Sequence, residues 1–214
     1  MINLENIVRD QIKINGEEQF FKSSVLVLLV NIDDQWNLIF QKRAKGIRQG
    51  GEISFPGGKF DKKDKTALET AIRETEEELL ISRKNIDVLG ELDTIIAPMG
   101  AIVKPFIATT SLLYEKINFN KTEVEYLFTV PLKWFIENPP EIYHIVLKAH
   151  SEILDKDGKK VILFPAKELG LPEKYHNIWG NIKQKVYLYR YKNEIIWGLT
   201  AKIIFNIIEN IKNH

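Results

Sequence analysis

Two periods of apolar and polar positions organise this 214-residue chain. Runs rich in β-branched residues, such as 25–32, predict buried strands, while apolar side chains at steps of three and four predict an amphipathic helix over 66–80. Further strands are predicted over 36–42, 53–55, 88–92, 101–110, 126–130, 161–164 and 186–189, and further helices over 4–12, 132–137 and 198–211. Without an internal repeat or a linker-like change of composition, one α+β domain with a mixed sheet is the simplest interpretation.

Composition narrows the class of protein. The chain is 44% hydrophobic and 28% charged with a net charge of +1, which argues against broad nucleic-acid or membrane surfaces. It has no cysteine, which excludes disulfides and thiolate chemistry and suits a reducing cytoplasm. The longest apolar run, 25–30, is too short to span a bilayer, and the first ten residues lack signal-peptide character. We therefore expect a cytoplasmic protein; the sequence leaves its oligomeric state open, with a homodimer as one option.

The candidate chemistry lies in a glycine turn, 55–58, followed by a glutamate-rich helix. At about 100° per residue, Glu74, Glu77 and Glu78 share one helical face while Glu76 points elsewhere. Three like charges on one face repel one another and destabilise the helix, and a cation bound between the carboxylates would remove this repulsion. Magnesium prefers oxygen ligands and is usually shared with substrate phosphates. A solvated acidic surface is the alternative, but the two glycines, which allow close backbone approach, favour metal-dependent chemistry on a phosphorylated substrate.

These residues resemble a Nudix box, G-x5-E-x7-R-E-U-x-E-E-x-G-U, where U is aliphatic. The matching positions are Gly58, Arg73, Glu74, Glu77, Glu78 and Ile81. Asp64 replaces the first Glu and one extra residue precedes Arg73, which is typical of the coenzyme A diphosphatase branch. Leu80 stands where a glycine normally ends the helix in the left-handed conformation, so the turn after the helix is open to question.

The resemblance implies a Nudix α/β/α sandwich with a mixed sheet over residues 24–214, after an N-terminal extension, 1–23. It also implies roles for individual residues. The metal positions are Glu74, Glu77, Glu78, Gly58 and Glu123 or, failing that, Glu125, with Mg²⁺ or Mn²⁺ as the cofactor. The catalytic positions are Glu77 or Glu74, for the attacking water, and Arg73, which would join the helix to the preceding loop through Asp64 or Glu69.

A second motif of the same branch precedes the box. Arg43, Ala44, Arg48 and Gly51 agree with it, whereas Gln41 replaces a threonine and one residue is missing before Gly51. Arg43 and Arg48 are candidates for binding the diphosphate or a 3′-phosphate, since arginine suits bidentate phosphate recognition. A purely structural role at a strand end and loop is the alternative for each.

The activity implied is Mg- or Mn-dependent hydrolysis of the diphosphate bond of coenzyme A or acyl-CoA, giving 3′,5′-ADP and (acyl-)4′-phosphopantetheine. One alternative is a Nudix hydrolase of another nucleoside diphosphate derivative, such as ADP-ribose, a dinucleotide or a nucleoside triphosphate. The other is a Nudix-like domain that binds a nucleotide without cleaving it, against which the three retained box glutamates argue. In each case the expected partner is a small nucleotide-derived molecule.

Overall fold

A computed structural model describes residue 14 and residues 16–213. The helix predicted over 4–12 therefore lies outside the described residues. By its internal contacts the chain divides into two compact units, Met1–Asn138 and Pro139–His214, and each is described by itself. Within the described residues, no helix is both long enough and apolar enough to cross a membrane.

The first unit is built on a mixed sheet. Its strands are β1 (Phe21–Ile32), β2 (Gln35–Arg43), β3 (Ile53–Ser54), β4 (Gly57–Lys59), β5 (Ile86–Glu91), β6 (Ile95–Ala97), β7 (Ala101–Thr110) and β8 (Val124–Pro131). The order is β3-β2-β1-β7-β5, with β4 beside β1, β6 beside β7 and β8 beside β2. The β1–β7 pair is parallel and all other pairs in this sheet are antiparallel.

Helices cover both faces of this sheet. Because strand side chains alternate between the faces, Leu28 and Ile39 pack with Ile72 of helix α1 (Ala67–Leu79) in one core cluster. On the opposite face, the Phe40 ring lies 6.1 Å, centroid to centroid, from Phe135 of helix α2 (Leu132–Glu137). The predicted α+β class with a mixed sheet between helices is confirmed.

The second unit is smaller and antiparallel. It contains β9 (Glu141–Ala149), β10 (Glu152–Leu154), β11 (Lys160–Ile162), β12 (Trp179–Tyr191), β13 (Glu194–Trp197) and helix α3 (Gly198–Asn213). The sheet order is β13-β12-β9, and β10 pairs with β11 as a separate hairpin. Helix α3 packs against this sheet, with the Phe205 ring stacked on Tyr187 at 4.4 Å.

Most predicted elements are present, with shifted ends. Helix α2 and strand β7 have the predicted bounds, and helix α3 begins at the predicted Gly198. The strand predicted over 161–164 ends earlier, because the Leu163 and Phe164 N–H groups both donate to the Ser151 carbonyl instead of continuing the ladder. Strands β4, β6, β9, β10 and β13 were not predicted from the sequence.

Candidate active site

Helix α1, which carries the candidate carboxylates, is capped at both ends. The Thr66 hydroxyl accepts the Glu69 N–H at 3.1 Å, and the Glu69 carboxylate accepts the Lys65 N–H at 2.6 Å. These two bonds satisfy donors at the start of the helix that have no partner inside it. At the other end, Leu80 adopts the left-handed conformation, with φ 53° and ψ 29°. The turn after the helix therefore has the geometry usual for glycine although leucine occupies it.

The glycine pair before the helix is required by two close approaches. Gly57 has φ 151°, and a Cβ there would lie 2.3 Å from the Ser24 carbonyl oxygen of β1. A Cβ on Gly58 would lie 2.4 Å from the carboxyl group of Glu74. The first glycine thus lets strand β4 pair closely with β1, and the second makes room for a carboxylate of helix α1.

Glu78 is the buried carboxylate of the site, with 2% of its side chain exposed. Its Oε2 accepts the Gly57 N–H and the Gln41 side-chain amide, each at 2.9 Å, and its Oε1 lies 3.4 Å from Arg43 Nη1. Burial outweighs these interactions and raises the pKa of Glu78 to about 7. Strand β2, the start of β4 and helix α1 therefore meet at one carboxyl group.

Arg73 binds carboxylates on both sides of it. Its Nη2 lies 3.0 Å from Asp64 Oδ2 and 2.8 Å from Glu74 Oε1, and its Nη1 lies 3.1 Å from Glu77 Oε2. The hydrogen bond from Arg73 lowers the pKa of Asp64 to about 2. Of the two partners considered for Arg73, Asp64 is the one observed, because the Glu69 carboxylate binds the Lys65 N–H instead. Arg73 thereby ties the loop before α1 to the acidic face of the helix.

The remaining acidic candidates differ in their surroundings. Burial raises the pKa of Glu74, and the charges of Glu77 and Glu123 raise it further, which places Glu123 within electrostatic reach of the helix. Glu123 is held by Asn120, whose side-chain amide donates to it at 3.2 Å. Glu76 points away, as predicted, and its carboxylate accepts the Arg83 N–H at 2.7 Å.

The two candidate phosphate-binding arginines are separated. Arg43 reaches Glu78, so this residue of the upstream motif contacts the carboxylate helix. The Arg48 guanidinium instead lies over the Phe21 ring, 4.7 Å from its centroid. Arg43 Nε donates to the Arg48 carbonyl at 3.3 Å, so the backbone of the loop, rather than the Arg48 side chain, meets Arg43.

Gln41 is a site residue that the sequence did not reveal. Its side chain is fully buried, its amide nitrogen donates to Glu78, and its Oε1 is the buried side-chain atom left without a hydrogen-bond partner among the described residues. The available signal was a polar residue at the end of the buried run of β2, where the upstream motif of the related branch has threonine. A buried amide beside a carboxylate indicates a polar interaction inside the site.

The donor atoms at this site fit a hard divalent cation. Carboxylate oxygens from the helix, the Glu123 carboxylate and the unpartnered Gln41 Oε1 are all oxygen donors, which Mg²⁺ and Mn²⁺ prefer. The described residues contain no group of three acidic or histidine side chains already gathered at metal-binding distances. Arg73 and Arg43 each lie against one oxygen of these carboxylates, and among the described residues the second oxygens of Glu74 and Glu77 accept no hydrogen bond from either arginine.

Comparison with known proteins agrees with this geometry. The NUDIX domain family model matches residues 21–185. The chain is 30% identical over 177 residues to an uncharacterized Nudix hydrolase NudL of Yersinia enterocolitica, covering 81% of this chain and 73% of that protein. A NudL protein of Yersinia pestis is also 30% identical over 177 residues, and the aligned region covers 72% of that protein.

Solved structures give weaker similarity. The match to a MutT/nudix family protein from Enterococcus faecalis covers 99% of this chain and 69% of that protein's chain, at 15% identity and with a TM-score of 0.47. The match to a C. elegans Ap4A hydrolase binary complex covers 54% of this chain and 83% of the hydrolase chain, at 17% identity and with a TM-score of 0.46. At these scores the similarity supports no inference about this chain.

The family model spans most of the chain, and the chain therefore belongs to the Nudix domain family. Together with the NudL relatives, this membership makes it a hydrolase that acts on pyrophosphate bonds of nucleoside diphosphate derivatives. Nudix hydrolases generally use divalent metal ions such as Mg²⁺ or Mn²⁺.

Proposed function

We propose that this Nudix hydrolase cleaves the diphosphate bond of coenzyme A or acyl-CoA, producing 3′,5′-ADP and (acyl-)4′-phosphopantetheine. The observation that carries the proposal is the contact of Arg43 Nη1 with Glu78 Oε1 at 3.4 Å. Arg43 belongs to the upstream motif that resembles the coenzyme A branch, and Glu78 belongs to the box. Their contact supports assigning the two motifs to one site. The ion pair of Asp64 with Arg73 further supports the coenzyme A branch. In that branch the first box Glu is replaced by the shorter Asp and one extra residue precedes the Arg, and here Asp64 still reaches Arg73.

The proposed roles follow from where the side chains lie. Glu74, Glu77 and Glu78, with Gly58 and Glu123, would hold Mg²⁺ or Mn²⁺. A metal bound there would supply charge neutralisation for the diphosphate and a lowered pKa for the attacking water. Glu74 or Glu77 would accept the proton of that water.

Three further residues would hold these ligands in place. Arg73 orients Glu74 and Glu77 through its ion pairs. Gln41 and the Gly57 N–H fix the Glu78 carboxylate in place.

The proposal is tested by incubating the purified protein with coenzyme A and Mg²⁺ or Mn²⁺ and separating the products by chromatography. We expect 3′,5′-ADP and 4′-phosphopantetheine in equal amounts. Rapid turnover of ADP-ribose, a dinucleotide or a nucleoside triphosphate without 3′,5′-ADP from coenzyme A would refute the substrate assignment and retain the reaction class.

Variants of the helix test the site itself. We expect Glu77→Gln and Glu78→Gln each to lower turnover by orders of magnitude while the fold survives. Glu76→Gln is the matched control, because Glu76 lies on the same helix, points to Arg83 and would keep an acceptor oxygen for that N–H. Unchanged rates in the Glu77 and Glu78 variants would exclude this face as the active site.

A homodimer and a cytoplasmic location complete the proposal. Exposed apolar side chains on the β10–β11 hairpin, such as Leu154 at 70% and Ile162 at 55%, support a covering partner. Sedimentation velocity checks this: a monomer at all concentrations would exclude the dimer.

A further inference from the structure

An open groove in the first unit lies beside the carboxylate site. Its volume is about 380 Å³, and its lining consists of Ala44, Lys45, Phe119, Lys121, Val124 and Glu125. Ala44 and Phe119 supply apolar surface, two residues supply ammonium groups and one supplies a carboxylate, while Val124 itself is fully buried. Such a mixture suits a ligand that has both an apolar part and an anionic group.

Backbone hydrogen bonds form the groove in advance of any ligand. The Ala44 N–H donates to the Glu123 carbonyl at 2.9 Å, which closes the end of β2 onto the turn before β8. The Asn120 N–H donates to the Glu78 carbonyl at 2.8 Å, and the Asn120 side chain accepts the Thr122 N–H. The lip that carries Lys121 is therefore fixed to the last turn of α1, and binding requires little ordering.

The groove is continuous with the site along the chain. Lys45 follows Arg43 by two residues, and Arg43 contacts Glu78. Lys121 precedes Glu123 by two residues, and the charge of Glu123 acts on Glu74. Residues of the groove and of the site are therefore interleaved along the same two segments, and the Asn120–Glu78 backbone hydrogen bond holds one of these segments against helix α1.

The two lysines differ from the site arginines in their surroundings. Neither Lys45 nor Lys121 makes an ion pair within the described part of the chain. The site arginines, in contrast, are engaged: Arg43 with Glu78, Arg73 with three carboxylates, and Arg48 with an aromatic ring. Lysine binds phosphate well as a point charge, so these two ammonium groups are available for an anionic group of the substrate.

We propose that this groove binds a second phosphate, the 3′-phosphate on the ribose of the nucleotide half, through Lys45 and Lys121, with Phe119 against the nucleoside. The inference rests on the proposed function, because coenzyme A carries this phosphate in addition to the diphosphate that is cleaved. Glu125 faces the same groove and disfavours a phosphate close to itself, which restricts the anion to the lysine side.

Calorimetry on the whole protein with Mg²⁺ at low salt tests the groove directly, using 3′,5′-ADP, 2′,5′-ADP and 5′-AMP as probes. We expect the wild type to bind 3′,5′-ADP about tenfold more tightly than 5′-AMP. Lys45→Gln and Lys121→Gln should each reduce that ratio by about three- to fivefold, and the double variant should bring it close to one. Lys84→Gln is the control, since Lys84 is exposed, has the same charge and does not line the groove.

Each outcome decides the proposal. No preference of the wild type for 3′,5′-ADP, or an unchanged ratio in the double variant, would overturn it, as would an equal loss in Lys84→Gln. Tighter binding of 2′,5′-ADP would overturn the 3′ assignment. A failure of the proposed function gives a different result. If coenzyme A is not hydrolysed but the preference for 3′,5′-ADP over 5′-AMP is present and depends on the two lysines, the substrate assignment is refuted and the phosphate site in the groove stands.

Discussion

Replacing Leu80 by glycine should relieve backbone strain at the end of helix α1. Leu80 has φ 53°, and its side chain is 58% exposed. The left-handed conformation costs a non-glycine residue about 1–2 kcal/mol, whereas glycine loses about 0.5–1 kcal/mol more backbone entropy on folding than alanine. The difference leaves a net gain of about 0.5–1 kcal/mol for glycine over alanine at this position.

Alanine is the appropriate reference because both substitutions remove the same partly buried side chain. Leu80→Ala loses that packing and keeps the strain, while Leu80→Gly loses the packing and the strain together. We therefore expect Leu80→Gly to be the more stable of the two in urea unfolding monitored by circular dichroism, with an unchanged m-value.

Leu89 provides a control at which the glycine variant should be less stable, not more stable, than the alanine variant. It lies in strand β5, is 59% exposed and is not among the residues with positive φ. There, Leu89→Gly should be less stable than Leu89→Ala by about 0.5–1 kcal/mol. If glycine were no better than alanine at position 80, the left-handed assignment of Leu80 would be refuted.

Three further predictions concern the site. Gly58→Ala should lower kcat/KM by about 100-fold, because its Cβ would displace the Glu74 carboxyl group, whereas Gly46→Ala, with open space around it, should have no effect. Asp64→Asn should lower the free energy of unfolding by about 1.5–3 kcal/mol in urea titrations, because it loses hydrogen bonds to a charged partner. In EDTA, the free energy of unfolding of the wild type should fall as pH rises from about 4.3 to 7. The raised pKa of Glu78 keeps this residue protonated in the folded protein over that range, whereas in the unfolded chain Glu78 releases its proton.

Matched measurements check the last two predictions. Asp61→Asn is the control for Asp64→Asn, because the exposed Asp61 side chain accepts the Lys63 N–H and asparagine preserves that bond, while the backbone bonds of Asp61 to Asp64 do not depend on its side chain. A similar loss in both variants would contradict a special role for Asp64. Thermal unfolding across the pH window should show a flatter dependence in Glu78→Gln; an equally steep one would assign the effect to another group.

The sequence predicted elements best where their ends carry a local chemical signal. Helix α2 starts after Pro131 and stops before Pro139, so its bounds followed from proline chemistry alone. Strand β9 was missed because both of its faces carry apolar residues, Ile142 and Val146 on one and Tyr143, Ile145 and Leu147 on the other, so the sequence lacks the alternation that marks a half-buried strand.

Long-range contacts explain what the sequence left open at the site. Glu74, Glu77 and Glu78 were identified from spacing within one helix, but the bond of Gln41 to Glu78 joins residues 37 apart in sequence. Leu80 takes the left-handed conformation because its neighbours Leu79 and Ile81 are both buried, so packing on either side fixes the turn against local preference.

The ion pairs of Arg73 have a consequence for how the protein matures. Proteins whose acidic or thiolate ligands need a cation to offset mutual repulsion fold only when metal is supplied. Here the single guanidinium of Arg73, on the same helix, offsets part of the repulsion among Asp64, Glu74 and Glu77 within the chain itself. The polypeptide therefore carries part of the positive charge that its acidic cluster needs, and we expect its fold to depend less on the metal supply than its activity does.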